Sequence, residues 1–212
     1  MSRYAQEYYE KHFSHEKTNT DWLSVDKAGN SIPWITYSAL FQLEQYDWTE
    51  CDIFEWGAGH STAFWSEKCS SITSVENDQE WYDFVKNKAL KNVDLNLTTL
   101  DDYASFINRD DKKYDLIVVD GYIHEKMRFL CTEHATSHLK NGGMLILDNS
   151  DWLPNTCSFL RGQGFNQFDY SGLGPINNYP WCTSIFTQGV IEVPRKNISP
   201  GFVAGGIKNE RD

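Results

Sequence analysis

Five short apolar runs recur through the middle of the chain, separated by stretches long enough for a helix. This alternation constrains the fold more than any other feature. The runs are residues 52–56, 71–76, 95–100, 114–120 and 144–148. Asp78 is placed to cap a helix that presents Trp81, Phe84, Val85 and Ala89. A short helix is expected near 103–107 and a long one over about 125–139. The run Tyr114-Asp115-Leu116-Ile117-Val118-Val119-Asp120 is nearly continuously apolar, as suits a central strand covered on both faces. Strands that alternate with helices build a parallel, doubly wound α/β sheet. After the fifth run the pattern predicts a helix over 152–163 and strands over 165–170 and 183–187.

The flanks are less regular. Tyr4, Tyr8, Tyr9 and Phe13 follow the spacing of one helix face. A polar stretch, 14–30, carries the turn formers Asp26, Gly29 and Asn30, and Pro33 is placed to open a helix running through Tyr37, Leu40, Phe41 and Leu43. The expected organisation is an N-terminal helical cap over 1–49, one domain over 50–193 and a weakly ordered tail over 194–212. The loop 172–182 has no clear period. Its Tyr179 and Trp181 read either as an aromatic lid or as packed surface residues.

Bulk properties narrow the partners. The 212 residues carry a formal net charge of -11, and positive charge clusters only at 111–113 and 194–196. A polyanionic partner would meet repulsion, so no nucleic-acid substrate is expected. The cysteines, Cys51, Cys69, Cys131, Cys157 and Cys182, are odd in number and show no C-x-x-C spacing, which points to free thiols in a reducing cytoplasm. The N-terminal residues lack the apolar core of a signal peptide, and no run is long enough to span a membrane. Oligomeric state is left open.

The first run ends in the turn Glu55-Trp56-Gly57-Ala58-Gly59-His60-Ser61-Thr62. Glycines at such a turn permit positive φ and close approach of a ligand to the backbone, and the following helix offers free N–H groups. Ligands of open α/β sheets sit at the carboxyl ends of the strands. Glu76 closes the second strand, where a carboxylate can accept both hydrogen bonds of a ribose diol. The dinucleotide fingerprint G-x-G-x-x-G is not met, because Thr62 stands at the third glycine position. Glu55 is expected to face a cationic group of the ligand. That favours a sulfonium amino acid over a pyrophosphate. Trp56 and Trp65 read as packing residues.

These residues resemble the class I S-adenosylmethionine (SAM)-dependent methyltransferases over 52–149. The segment 54–62 resembles their glycine-rich first motif, and Ser74-Val75-Glu76-Asn77-Asp78 their second. The resemblance implies a Rossmann-like, mostly parallel seven-stranded sheet whose last two strands are antiparallel. It implies SAM as cofactor, held by Glu55, Gly57, Gly59, Ser61, Thr62, Glu76, Asn77 and Asp120. Asn77 would lie near the adenine, and the adenine edge would meet Leu100, Asp101 or Asp102.

Methyl transfer needs an aligned nucleophile and, for many acceptors, removal of a proton. The candidates follow the fourth and fifth strands: Asp120, Tyr122, His124, Arg128, Asp148, Asn149 and Asp151. His124 is the favoured general base. Arg128, placed one helical turn further on, is a candidate clamp for a substrate carboxylate or phosphate. Asp120, Asp148 and Asn149 resemble the metal site of the catechol-type O-methyltransferases and would suit Mg²⁺ or Ca²⁺. The chain departs from that group in having no lysine soon after Asp120; the next is Lys126. The competing reading has Asp148-Asn149 cap a helix while Asp120 orients a ligand.

The expected function is methyl transfer from SAM to an oxygen or nitrogen of a small molecule. The rivals are a nicotinamide-dependent oxidoreductase on a related fold and a SAM-binding module without catalysis.

Overall fold

The structure is a computed structural model and describes residues 3–196. Seven strands form one sheet in the order β3-β2-β1-β4-β5-β7-β6. They are β1 (Asp52–Trp56), β2 (Ser71–Glu76), β3 (Val93–Leu97), β4 (Tyr114–Val119), β5 (Leu139–Leu147), β6 (Asn166–Gly172) and β7 (Trp181–Thr187). The first five run parallel, and β7 pairs antiparallel with both β5 and β6. The helices are α1 (Arg3–Phe13), α2 (His15–Asp21), α3 (Tyr37–Leu43), α4 (His60–Ser66), α5 (Gln79–Lys86), α6 (Leu100–Tyr103), α7 (Met127–His138) and α8 (Pro154–Gly162). The expected α/β class and seven-stranded sheet are present. Among the described residues no helix is long and apolar enough to cross a membrane.

The period-two alternation of the central strands feeds two cores. Ile53, Leu116, Val118, Met144 and Ile146 face one way, where they meet Ile35, Tyr37, Leu40 and Leu43 from the N-terminal segment. Phe54, Trp56, Ile117, Val119, Leu145 and Leu147 face the other way, against α7 and α8. The N-terminal segment therefore forms one of the layers covering the sheet. Trp56 and Trp65 are fully buried, as expected of packing residues.

Element ends depart from the sequence pattern for identifiable reasons. The third strand stops at Leu97 rather than Leu100, because Thr99 is the N-cap of α6 and Leu100 is its first residue. The fifth strand starts at Leu139 rather than Met144, so the glycines at 142–143 lie inside it beside a register shift against β4. The polar stretch 14–30 holds α2 and a bridge between Val25 and Ser31. Pro33 does not start a helix; the Thr36 hydroxyl caps α3 by accepting from Ala39 N–H at 3.4 Å. Residues 197–212 of the expected tail lie outside the described residues. Pro194 O accepts from Asp47 N–H at 2.7 Å, and Lys196 N–H donates to Gln45 O at 2.9 Å. All five cysteines are free thiols.

Candidate active site

Strand order reverses between β1 and β4, and in an open α/β sheet a crevice forms outside the carboxyl ends of such strands. A cavity of about 370 Å³ lies there. Its floor is the turn Ala58, Gly59, His60 and Ser61, and one side carries Glu76, Asn77, Asp78 and Trp81. Asp120, Gly121 and Tyr122 form the opposite side. Ser24, Trp34 and Ile176 close it from the N-terminal segment and the loop after β6.

The turn is built by a chain of buried hydrogen bonds. Gly59 N–H donates to Thr62 Oγ1 at 3.0 Å, and Thr62 Oγ1 donates to Glu55 Oε2 at 2.6 Å. Ser74 Oγ donates to the same oxygen at 2.9 Å. Glu55 is wholly buried, its Oε1 meets no partner, and burial pushes its carboxyl up to about 7 against the hydroxyls around it. Glu55 and Thr62 therefore support the turn from behind and do not border the cleft. This corrects the expectation that Glu55 faces the ligand. Gly57 is also a support: its φ is +99°, and a Cβ there would lie 2.7 Å from Gly121 Cα.

Glu76 does border the cleft, together with Gly59, Ser61, Asn77 and Asp120. Its Oε2 accepts from Ala58 N–H at 2.9 Å, and its Oε1 accepts from Asn77 N–H at 2.7 Å and Asp78 N–H at 2.8 Å. These bonds fix the carboxylate at the edge of the glycine turn. Burial raises the Glu76 carboxyl above its ordinary range, and the three backbone N–H groups oppose that shift. Asp101 is exposed in the first turn of α6 and lies away from the cleft. The early end of β3 moves it, so its expected contact with the adenine edge is corrected.

The far side departs most from expectation. Arg128 is 6% exposed, and all five of its N–H donors are engaged. Nε donates to Gly121 O at 3.0 Å; Nη1 donates to Asp148 O at 2.8 Å and Asn149 Oδ1 at 2.9 Å. Nη2 donates to Asp120 O at 3.1 Å and Asp120 Oδ1 at 3.2 Å. The guanidinium thus lies among the three residues expected to hold a divalent cation. Asp148 Oδ1 accepts from Trp181 Nε1 at 3.0 Å and from the Thr183 hydroxyl. Asp120, Asp148 and Asn149 do not fit a metal, and no group of three or more metal-ligating His, Cys, Asp or Glu side chains is found among the described residues. The Mg²⁺ or Ca²⁺ expectation and the catechol-type detail find no support in this geometry. The role of Arg128 as a clamp for a substrate anion is corrected too, since it has no donor left to give. Asn149 lies at the N-cap position of the turn Ser150–Trp152 but makes no side-chain cap bond.

His124 is exposed, outside the cleft, with its ring against Tyr122. Glu125 and Lys126 adopt positive φ, so α7 begins only at Met127 and His124 does not share a helix face with Arg128. The general base expected at His124 is therefore not placed at the cleft, whereas Asp120 is. Burial, then the nearby Asp148 carboxylate, raises the Asp120 carboxyl well above its ordinary range, against the pull of Arg128. Burial likewise pushes Asp148 up to about 6, opposed first by Arg128.

Four cleft residues carried no functional signal in the sequence. Ser24 and Trp34 come from the irregular N-terminal segment, and Trp81 read only as a helix residue. His60 was hidden inside the glycine motif. Burial pulls the His60 imidazole down to about 4, with Lys88 adding to the effect, and its Nδ1 lies 3.0 Å from Ser31 Oγ. Trp181 belongs to β7 and is buried, so it is no lid; Ile176 is the loop residue that reaches the cleft.

Comparison with known proteins agrees with this geometry. A family model described as a methyltransferase domain matches residues 54–150. No curated protein matches the chain. Among solved structures, a Streptococcus mutans protein assigned as a methyltransferase, solved with S-adenosylhomocysteine, aligns with a TM-score of 0.57 at 17% identity, covering 72% of this chain and 98% of its own. The precorrin-6y C5,15-methyltransferase of Geobacter metallireducens aligns with a TM-score of 0.61 at 14% identity, covering 79% and 98%. An rRNA methylase of Streptococcus thermophilus aligns with a TM-score of 0.55 at 15% identity, covering 71% and 93%. The match over 54–150 and the cleft at the β1 turn lead to one conclusion: residues 54–150 match a methyltransferase domain, and the cleft is lined largely from that stretch.

Proposed function

We propose that the protein is a cytoplasmic enzyme that transfers the methyl group of SAM to an oxygen or nitrogen of a small molecule, with Asp120 as proton acceptor. The observation that supports the acceptor class is the cleft wall. Among the described residues no lysine or arginine borders it, while Glu76, Asp78, Asp120, Trp34, Trp81 and Tyr122 do. Such a wall suits a cationic sulfonium and a compact, partly aromatic acceptor, and it repels a phosphate backbone. His60, with its lowered pKa, adds no positive charge near neutral pH.

In this reading Gly59, Ser61, Glu76 and Asn77 hold the cofactor. Asp120 Oδ1 is fixed by Arg128, which leaves Oδ2 for the acceptor. As the acceptor lone pair forms its bond to the methyl carbon, the carbon–sulfur bond breaks. The acceptor proton passes to Asp120, and S-adenosylhomocysteine leaves as a neutral thioether. A raised carboxyl pKa makes Asp120 a stronger base than an ordinary aspartate. The test is release of S-adenosylhomocysteine on incubation with SAM and either a small-metabolite extract or total RNA. Release with the metabolite fraction alone is expected, and release with RNA alone would refute the acceptor class.

A further inference from the structure

We propose that Arg128 is the resident cation of this active centre, taking the place that a divalent metal would occupy and aiming Asp120 at the cleft. The inference rests on the reading of Asp120 as the proton acceptor. Its basis is the match between one guanidinium and one set of oxygens. Five N–H donors meet five acceptors supplied by the ends of β4 and β5. These are the oxygens of Asp120, Gly121, Asp148 and Asn149, the strand-end positions where an oxygen-ligated cation would otherwise collect its ligands.

The local chain path delivers the guanidinium there. Glu125 and Lys126, both at positive φ, turn the chain so that Arg128 lies in the first turn of α7 and reaches back to the strand ends. Asp148 contributes only its backbone oxygen to Arg128, and its Oδ1 is held by Trp181 and Thr183 on β7. A second cation brought to Asp120 Oδ1 and Asn149 Oδ1 would meet the positive charge that already binds both oxygens. Arg128 is thus a positioning residue: it sets the direction of Asp120 and ties Gly121 against Gly57.

The experiment titrates Mg²⁺ and Ca²⁺ calorimetrically into the full-length wild type, R128A and R128A/D120N, with S-adenosylhomocysteine binding measured on each. Wild type is expected to bind neither metal up to about millimolar, within the range of protein Ca²⁺ sites, and to bind S-adenosylhomocysteine equally with and without EDTA. R128A should gain one-to-one Ca²⁺ binding that R128A/D120N loses. Should R128A not fold, R128K keeps the charge but has only three donors. It should bind S-adenosylhomocysteine like wild type yet lose turnover on the order of 10²-fold through misplacement of Asp120. Saturable metal binding by wild type that D120N abolishes overturns the proposal. So does an R128A that binds S-adenosylhomocysteine without gaining Ca²⁺, or an R128K with wild-type turnover. Loss of S-adenosylhomocysteine binding by wild type itself would instead strike the methyltransferase reading.

Discussion

Gly57 and Gly121 stand so close that a Cβ on Gly57 would lie 2.7 Å from Gly121 Cα and 2.8 Å from Gly121 N. The cleft exists because two glycines let the turn after β1 pass the end of β4. Gly57 also holds φ at +99°, which a side chain resists. Gly57→Ala is therefore expected to cost at least about 2 kcal/mol, because the clash is with backbone and adds to the strain of positive φ. It should weaken S-adenosylhomocysteine about tenfold or more. Urea unfolding and calorimetry check both, and a variant within 0.5 kcal/mol of wild type, roughly the scale of neutral surface changes, contradicts this account.

A Cβ on Gly121 would overlap the hydroxyl of Tyr103, which is buried and meets no partner in hydrogen-bonding geometry. Gly121→Ala should be strongly destabilising, whereas Tyr103→Phe should be near neutral or stabilising because it removes an unsatisfied polar group. The double variant should recover part of the loss, with a coupling of about 0.5–3 kcal/mol in a thermodynamic cycle. Strict additivity would show that the two residues do not meet.

Glu55 gives a pH signature. Its carboxyl is raised from 4.5 to about 7 in the folded state. The folded protein thus binds this proton more tightly than the unfolded chain does. The resulting stability is fully present below pH 4.5 and is lost as pH rises through about 7. Against Glu55→Gln, which carries no titrating group there, wild type should lose roughly 2 kcal/mol between about pH 5 and 7.5. Denaturant unfolding across that range reads the difference, and parallel curves would place the titration elsewhere.

Asp120 and His124 separate cleanly. Asp120→Asn should lower turnover by on the order of 10²-fold or more, the scale of acid–base catalysis, with a smaller loss of S-adenosylhomocysteine affinity. His124→Ala, at an exposed site outside the cleft, should leave both near wild type. The opposite ranking would return the base to His124.

The fold was legible because its signals are local. Apolar runs such as 114–119 and the helix cap at Asp78 announce themselves over a few residues, and both are present. The glycine turn and Glu76 were legible for the same reason. The far side of the cleft was not. In the sequence, Asp120 and Asp148-Asn149 look like free oxygen ligands, and nothing local shows that Arg128 will lie among them. That depends on two positive-φ residues ahead of α7, neither of them glycine. Ser24 and Trp34 reach the cleft only through packing of the N-terminal segment on the sheet, which no periodicity encodes.

The central claim is that the turn after β1, with Glu76 beside it, binds SAM. Calorimetric titration of S-adenosylhomocysteine into wild type and Glu76→Ala tests it most directly. The account predicts one saturable site on wild type. It predicts binding weaker by about 10- to 100-fold in Glu76→Ala, as loss of charge-assisted hydrogen bonds worth roughly 1.5–3 kcal/mol implies. No binding to wild type near millimolar, or equal affinity in both proteins, would contradict it.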